Sequence, residues 1–244
     1  FPGQGAQYVH MGQNLYEGEP LFRETVDKCC EILREPLGRD LREILYCRNM
    51  DEDTAYKALK DTYYTQPAIF TIEYALATLW QSWGIMPSVL VGHSIGEFVA
   101  ATLSGVMELE DALSLIALRG RLMSGLPGGS MLSVLTPASE IEGELPETIQ
   151  LAASNGPRLC VVAGPDSDVE AFSSVLEERG IKTRALHTSH AFHSAMMDPI
   201  VAPFTDQAAK IPFREPSIPM WSTVYARQVG PDEIRQPEYW GGHM

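Results

Sequence analysis

The sequence predicts an α/β protein in which a small subdomain is inserted into a larger one. The apolar run of residues 89–91 enters a Gly-x-Ser-x-Gly turn and continues into a helix of small residues, which indicates a strand, a tight bend and a helix. After the Pro-Gly-Gly stretch of residues 126–129 the pattern changes to short elements in the order βαββαβ, typical of a ferredoxin-like unit. We therefore predict a large subdomain over residues 1–128, a small one over 129–194, and a return to the large one over 195–244.

Composition restricts the classes of protein to consider. The chain has 244 residues, of which 45% are hydrophobic, enough for a substantial core, and its formal net charge is −14. Such an acidic balance argues against binding to nucleic acid or to an anionic membrane surface. No apolar run approaches the roughly 20 residues of a membrane helix. The four cysteines lack metal-ligand spacing, so we expect no metal, reduced thiols and a cytoplasmic location.

The large subdomain is predicted to be mostly helical before and after the turn. The apolar spacing and the positions of proline and glycine predict these helices: Pro20–Leu33, Asp40–Tyr46, Asp51–Lys60, one from Gln66-Pro67 to Gly84, one from the turn to about Gly105, and Leu109–Met123. We further expect a helix over Ala195–Ala209 and a strand over Pro219–Val224. Because the chain starts at Phe1 rather than Met and no strand precedes its first loop, we expect it to be part of a longer polypeptide.

The small subdomain is predicted from four strand patterns and two helical ones. The strands are Met131–Leu135, Thr148–Ser154, Arg158–Ala163 and Lys182–His187, and the first helix is Ala138–Leu145. Asn155-Gly156 is a strong hairpin signal between the second and third strands. Ser167 to Glu170 has the form of a capping box that starts the second helix.

The predicted turn carries a candidate nucleophile, Ser94. Gly92 and Gly96 lack a β-carbon, so strand and helix can cross closely while the serine takes a strained conformation above the N–H groups of the helix. A serine needs a base, and imidazole is the efficient one near neutral pH. His93 adjoins the serine and should diverge from it, and spacing alone does not choose among the other five histidines, which are His10, His187, His190, His193 and His243. The plain alternative is a glycine-rich turn with an incidental serine.

Three motifs resemble those of a known family. Gly3-Gln4-Gly5, Gly92-His93-Ser94-Ile95-Gly96-Glu97 and His190-Ala191-Phe192-His193 are similar to the acyltransferase domains of modular polyketide synthases. These domains are related to the malonyl-CoA:acyl-carrier-protein transacylase of fatty acid synthesis. The resemblance spans nearly the whole chain. It implies an α/β-hydrolase-like large subdomain with a parallel sheet and an inserted ferredoxin-like small subdomain.

The resemblance also implies roles for individual residues. Ser94 matches the nucleophile and His193 the catalytic histidine of a Ser–His dyad, whose imidazole is oriented by a backbone carbonyl that we expect in the tail. The N–H groups of Gln4 and Ile95 match the oxyanion hole. Arg119 matches an arginine that pairs with the malonyl carboxylate through two parallel hydrogen bonds. The alternative, a cation placed at the end of a helix by its dipole, fits Arg121 better.

Further positions match the substrate pocket or its surroundings. These are Gln66, His93, Asn155, His190 and Phe192. His93 adjoins the serine, so we expect its side chain to diverge from it and act as a structural hydrogen-bonder, and the predicted hairpin suffices to explain Asn155. Phe192 and Ile95 resemble malonyl-selective members, in which the phenyl ring fills the space that an α-methyl group would need. Methylmalonyl selectivity is the alternative.

The expected function is acyl transfer in polyketide biosynthesis. The resemblance implies malonyl-CoA as donor, the phosphopantetheine thiol of an acyl carrier protein as acceptor, adjacent synthase domains such as a ketosynthase as partners, and no cofactor in this domain. A serine hydrolase that removes acyl groups from carrier proteins needs the same serine and histidine but has no use for Arg119. A non-catalytic docking module is disfavoured because both Ser94 and His193 are present.

Overall fold

The computed structural model describes residues 1–244, and the chain divides into two compact units. The first comprises Phe1–Leu122 and Pro203–His243, and the second comprises Met123–Ala202 with Met244. The subdomain boundaries at residues 128 and 194 stay predictions.

Eleven α-helices and seven strands follow one another along the chain. The helices are α1 (Gln13–Gly18), α2 (Pro20–Leu37), α3 (Leu41–Leu45), α4 (Glu52–Lys60), α5 (Thr62–Ser82), α6 (Ile95–Leu103), α7 (Leu109–Ser124), α8 (Asp166–Glu178), α9 (Asp198–Ala208), α10 (Pro231–Ile234) and α11 (Pro237–Gly241). The strands are β1 (Leu90–Val91), β2 (Ser130–Val134), β3 (Gln150–Gly156), β4 (Leu159–Gly164), β5 (Thr183–Ala185), β6 (Met220–Ser222) and β7 (Arg227–Gln228).

The first unit is built around a short sheet and the long helix α5. In the sheet, β1 pairs with β6 in parallel, and β7 pairs antiparallel with the other side of β6. Helix α5 packs against α2 and α6. The aromatic rings of Phe98, Phe204, Phe213 and Trp240 pack in contact, with centroid distances of 4.8 to 6.2 Å. This packing holds α6, and therefore the turn that precedes it, against the core of the unit.

Helix α5 begins earlier than the sequence predicts. Its N-cap is Asp61, whose carboxylate accepts the backbone N–H of Tyr63, and Pro67 lies inside the helix rather than at its start. A proline removes one intrahelical hydrogen bond. The helix tolerates that loss because twelve of its residues are buried and packing stabilises it. The prediction that Gln66-Pro67 starts the helix was therefore wrong by about one turn.

The second unit contains a four-stranded antiparallel sheet in the order β3-β4-β2-β5. If these four strands are numbered 1 to 4 in chain order, the sheet order is 2-3-1-4, which is that of a ferredoxin-like sheet. One apolar face of the sheet packs with α8 and the first connection into a core. The core residues are Leu132, Val134, Ile141, Ile149, Cys160, Val162, Val169, Phe172 and Leu176.

Three local predictions in this unit were wrong. The first connection is two 3₁₀ turns, Ala138–Glu140 and Glu142–Glu144, because Gly143 and Pro146 leave too short a segment for an α-helix. The β3–β4 hairpin turns at Pro157-Arg158 and not at Asn155-Gly156, since Gly156 pairs with Leu159. Helix α8 has no capping box, because its N-cap is Pro165.

Two further features are the apolar length of the helices and the state of the cysteines. No helix of the structure combines the length and the apolar composition needed to cross a membrane. All four cysteines are free thiols, and burial raises the pKa of Cys29 to about 12, so this thiol stays protonated at neutral pH.

Candidate active site

Ser94 lies at a strained bend between β1 and α6. Its backbone has φ 52° and ψ −112°, a region that non-glycine residues rarely adopt. A β-carbon on Gly92 would lie 2.1 Å from the carbonyl carbon of Gly96, so only glycine permits this crossing. The predicted strand, tight turn and helix are confirmed, with Ser94 as the N-cap of α6.

The first loop of the chain packs against this elbow. A β-carbon on Gly96 would lie 2.3 Å from the carbonyl oxygen of Phe1, and one on Gly3 would lie 2.9 Å from that of His93. The His93 N–H donates to the Phe1 carbonyl over 2.9 Å. The glycines therefore let the loop lie directly beside the serine.

Two backbone N–H groups next to the elbow have no acceptor. Gly96 and Glu97 donate to the carbonyls of His93 and Ser94, but Ile95, the first residue of α6, and Gln4 of the first loop donate to nothing within the protein. Free N–H groups at a helix N-terminus carry a partial positive charge. Gln4 and Ile95 therefore remain available as donors to an oxyanion.

Arg119 is buried beside the serine. Its side chain is 3% exposed, and Nη2 donates to Ser94 Oγ over 3.1 Å and to the His243 carbonyl over 2.7 Å. Nη1 donates to Oε1 of Gln66 over 2.7 Å, while the buried Nε has no partner. The next residue, Gly120, permits this position, because a β-carbon there would lie 2.9 Å from the Thr62 carbonyl of α5.

The charge of Arg119 is not neutralised by the protein. Burial alone lowers the pKa of its guanidinium to about 9, which leaves it cationic at neutral pH. Its hydrogen-bond acceptors are an amide, a hydroxyl and a carbonyl, none of which is charged. A buried cation without a counter-ion is costly, and an anionic ligand would offset that cost.

A chain of polar side chains connects Arg119 to the first loop. Gln66, which is 1% exposed, accepts from Arg119 and donates through Nε2 to Thr62 Oγ1 over 2.8 Å. Thr62 Oγ1 in turn donates to Oε1 of Gln4 over 3.0 Å. The first unit thus brings together five of the residues predicted for the site: Gln4, Gln66, Ser94, Ile95 and Arg119.

His193 belongs to the second unit and has a defined tautomer. Its φ is 58°, and its Nδ1 lies 2.9 Å from the carbonyl oxygen of Met244. A carbonyl only accepts, so Nδ1 carries the proton and Nε2 keeps its lone pair in the neutral ring. A backbone carbonyl in the tail thus holds the imidazole in the form that a general base requires.

His190 and Phe192 are buried in the second unit near each other. Their ring centroids are 5.8 Å apart. His190 Nε2 donates to the Leu126 carbonyl over 3.1 Å, so its Nδ1 accepts from Ser189 Oγ at 2.7 Å. Both ring nitrogens of His190 are therefore engaged within the unit.

Two predicted pocket residues are exposed. His93 is exposed, and its Nδ1 lies beside the first loop, 2.9 Å from where a β-carbon on Gly3 would be. Asn155 lies exposed at the end of β3, one residue before the hairpin pair of Gly156 with Leu159.

Residue-based prediction missed two contributors to the surroundings of Ser94 and Arg119. Glu97 is fully buried and accepts hydrogen bonds from Thr223, while the His243 carbonyl accepts a hydrogen bond from Arg119. The partners of Glu97 are more than a hundred residues away in sequence, so no local pattern indicates them. The acidic end of the Gly-His-Ser-Ile-Gly-Glu motif is the one available signal.

The elbow and the two kinds of sheet place the chain in the class of α/β-hydrolase-like proteins that carry a ferredoxin-like subdomain. The chain belongs to the acyl transferase domain family, whose model matches residues 1–243. Both the predicted family and the predicted fold class are confirmed by the similarities described next.

The similar curated proteins include polyketide synthases. Polyketide synthase GfsA of Streptomyces halstedii is 41% identical over 250 residues, which cover 100% of this chain and 3% of that protein. The spectinabilin polyketide synthase system protein NorB of Streptomyces orinoci is 40% identical over 252 residues, which cover 100% of this chain and 11% of that protein. The chain thus spans a small part of the relatives that it matches.

Solved structures of the same fold include polyketide synthase domains and a transacylase. The acyl transferase domain of ZmaA has a TM-score of 0.91 and 38% identity, covering 100% of this chain and 56% of the other. The MCAT of Streptococcus pneumoniae has a TM-score of 0.85 and 32% identity, covering 99% and 79%. These likenesses support an acyltransferase.

Proposed function

We propose that this chain transfers a malonyl group from malonyl-CoA, through an ester on Ser94, to the phosphopantetheine thiol of an acyl carrier protein. The observation that carries the proposal is Arg119, a buried and uncompensated guanidinium with Nη2 3.1 Å from the serine hydroxyl. An acyl group on that oxygen would have its far end next to a cation. A group that ends in a carboxylate fits this arrangement best.

The free donors of Arg119 support a bidentate contact with that carboxylate. Nε has no partner in the protein, and it lies on the same edge of the guanidinium as one of the terminal nitrogens. When Ser94 Oγ becomes an ester it is a poorer acceptor, so the Nη2 donor that it occupied is freed. Two parallel hydrogen bonds to a carboxylate would then satisfy the side chain. Lysine, a point charge, could not reproduce them.

The reaction requires a base and an oxyanion site. In the proposal His193 Nε2 takes the proton of Ser94 Oγ, which attacks the thioester carbonyl of malonyl-CoA, and the N–H groups of Gln4 and Ile95 stabilise the tetrahedral oxyanion. CoA leaves as a thiol with the proton from His193. The carrier thiol then attacks the seryl ester with His193 as base, and Ser94 recovers its proton. The strained φ of Ser94 supports its role as the nucleophile.

We infer that malonyl is preferred to methylmalonyl. Phe192 and Ile95 are both nearly fully buried, at 6% and 1% exposure, and in our proposal the phenyl ring occupies the space of an α-methyl group. A single methyl group in a pocket changes binding by only about 1–3 kcal/mol, so we expect measurable loading of methylmalonyl as well. Gln66, His93, Asn155 and His190 complete the proposed substrate surroundings.

The partners in the proposal are a carrier protein and neighbouring synthase domains such as a ketosynthase. The similar proteins are long polyketide synthases, and this chain matches only 3% of one and 11% of another, which supports such neighbours. The serine, imidazole and guanidinium chemistry needs no cofactor. A reducing cytoplasm suits the four free thiols.

Intact-protein mass spectrometry tests the proposal. The wild-type protein is mixed separately with malonyl-CoA, methylmalonyl-CoA and acetyl-CoA, and Ser94→Ala serves as the control for the site of the ester. We expect a malonyl adduct that forms fastest, is absent from Ser94→Ala, and disappears when a carrier protein with its phosphopantetheine arm is added. A malonyl ester that is instead lost to water at the same rate with and without the carrier would indicate the hydrolase. A malonyl adduct on Ser94→Ala would overturn the assignment.

A further inference from the structure

Glu97 is the best-connected buried carboxylate in the first unit. It has no exposed surface and lies in the first turn of α6, three residues after Ser94. Its Oε2 accepts from the backbone N–H and the hydroxyl of Thr223, both over 3.1 Å, and its Oε1 accepts from the Tyr239 hydroxyl. Three donors from the last part of the unit therefore converge on one carboxylate of the elbow helix.

The same carboxylate lies next to His243. Nε2 of His243 is 3.3 Å from Glu97 Oε1, and the imidazole is 1% exposed among the rings of Phe98, Tyr239 and Trp240. The backbone carbonyl of His243 accepts the 2.7 Å hydrogen bond from Arg119 Nη2. The side chain of one residue thus faces Glu97 while its main chain holds the guanidinium.

We propose that Glu97 is a positioning residue for the anion subsite: it anchors the Tyr239–His243 segment so that the His243 carbonyl orients Arg119 toward the acyl group on Ser94. This proposal rests on the proposed function, since it assigns the residue that supports the proposed carboxylate contact. Without Glu97, the Tyr239–His243 segment is free to shift, and the His243 carbonyl shifts with it. Arg119 then keeps only Gln66 and the serine as acceptors, so the plane of its guanidinium is less well fixed.

There is an electrostatic reason why the carboxylate of Glu97 supports Arg119 through His243 and not by direct contact. Glu97 forms no salt bridge with Arg119; its oxygens accept hydrogen bonds from Thr223 and Tyr239 and lie beside His243 instead. The groups that do touch the guanidinium are neutral, which leaves its charge for the ligand. A carboxylate in direct contact with Arg119 would compete with the malonyl carboxylate for the same donors.

The test compares the loading of two acyl groups on Ser94, one with a free carboxylate and one without. Glu97→Gln, Tyr239→Phe and the wild type are each given malonyl-CoA and acetyl-CoA, and initial rates of ester formation are measured by mass spectrometry. We expect Glu97→Gln to reduce the malonyl-to-acetyl ratio on the order of tenfold, the scale of one hydrogen bond to a charged group, through KM more than kcat. Tyr239→Phe should reduce it less. A purely structural role would lower both rates equally and leave the ratio unchanged.

Glu73→Gln provides the matched control, since Glu73 is another buried carboxylate of the unit but has no hydrogen-bond partner. Its ratio should equal that of the wild type. The proposal is overturned if Tyr239→Phe and Glu97→Gln both keep the wild-type ratio, or if Glu73→Gln lowers it equally. Tyr239→Phe alone decides if Glu97→Gln does not fold. Failure of the proposed function looks different: the wild type itself then shows no preference for malonyl over acetyl.

Discussion

Glu97 and Glu73 are two buried carboxylates in the same unit with opposite surroundings. Glu97 receives hydrogen bonds from two residues and has the imidazole of His243 beside it, whereas neither oxygen of Glu73 has a hydrogen-bond partner. Glu73 faces a cavity of about 580 Å³ lined mostly by apolar side chains such as Ile72 and Trp80. Burial raises the pKa of its carboxyl group to about 8.

The difference shows what a buried charge needs. Burial without hydrogen-bond donors disfavours the charged form of a carboxyl group, as the raised pKa of Glu73 shows, whereas donors satisfy both oxygens of Glu97. Arg119 lies between these cases, since neutral acceptors hold it but no anion does. We interpret Glu97 as a side chain that stabilises the fold and Glu73 as one that locally destabilises it. Arg119 is a buried cation whose charge an anionic ligand would neutralise.

The largest expected effect is the loss of stability on removal of Glu97. Glu97→Ala leaves the donors of Thr223 and Tyr239 unpaired and creates a cavity, so we expect the free energy of unfolding to decrease by about 3–5 kcal/mol. Chemical denaturation followed by tryptophan fluorescence measures this. Exposed Glu110→Ala is the control on the neighbouring helix, and it should change stability by less than about 1 kcal/mol. Equal losses for the two variants would contradict the comparison.

The next effect concerns Arg119 and appears in activity. Arg119→Ala should lower the rate of malonyl loading on Ser94 about 100-fold, equivalent to about 2.7 kcal/mol, while acetyl loading changes much less. Arg119→Lys should recover only part of the loss, because an ammonium cannot form the bidentate contact. Exposed Arg121, two residues further along α7, is the matched control, and Arg121→Ala should load malonyl at the wild-type rate. A parallel loss of acetyl loading would argue for a structural role.

Substitution of Glu73 should increase stability, whereas substitution of Glu97 should decrease it. Its pKa is raised from 4.5 to about 8, so the folded state holds the proton more tightly than the unfolded chain. Stability from this group is therefore present at low pH and is lost as the pH rises from about 4.5 to about 8. Glu73→Gln should exceed the stability of the wild type by roughly 1 kcal/mol at pH 5 and by roughly 4 kcal/mol at pH 8. Denaturant titrations at the two pH values measure this, and a gain that is equal at both would contradict the assignment.

The turn at Ser94 could be predicted from the sequence, but most of the side-chain contacts around it could not. Gly92 and Gly96 indicate the close crossing of β1 and α6 because that geometry depends on residues adjacent in sequence. The hydrogen-bond partners of Glu97, by contrast, are Thr223 and Tyr239, which lie 126 and 142 residues away in sequence. The same reason explains why Pro67 was placed at the start of a helix: tertiary packing of α5 outweighs the local cost of a proline. Local rules therefore predicted the strained turn at Ser94 and missed the contacts that orient the groups around it.

The smallest expected effect is on the choice of acyl group, and it concerns Phe192. Phe192→Ser removes a buried ring, so methylmalonyl loading should increase relative to malonyl loading by about tenfold, within the 1–3 kcal/mol that one methyl group is worth. Competition between the two CoA esters, with the products on Ser94 separated by mass, measures the ratio. Phe192→Met keeps most of the volume and is the matched control, with a ratio close to that of the wild type. If Phe192→Ser lowers both rates without changing the ratio, the ring supports the second unit rather than the selection of substrate.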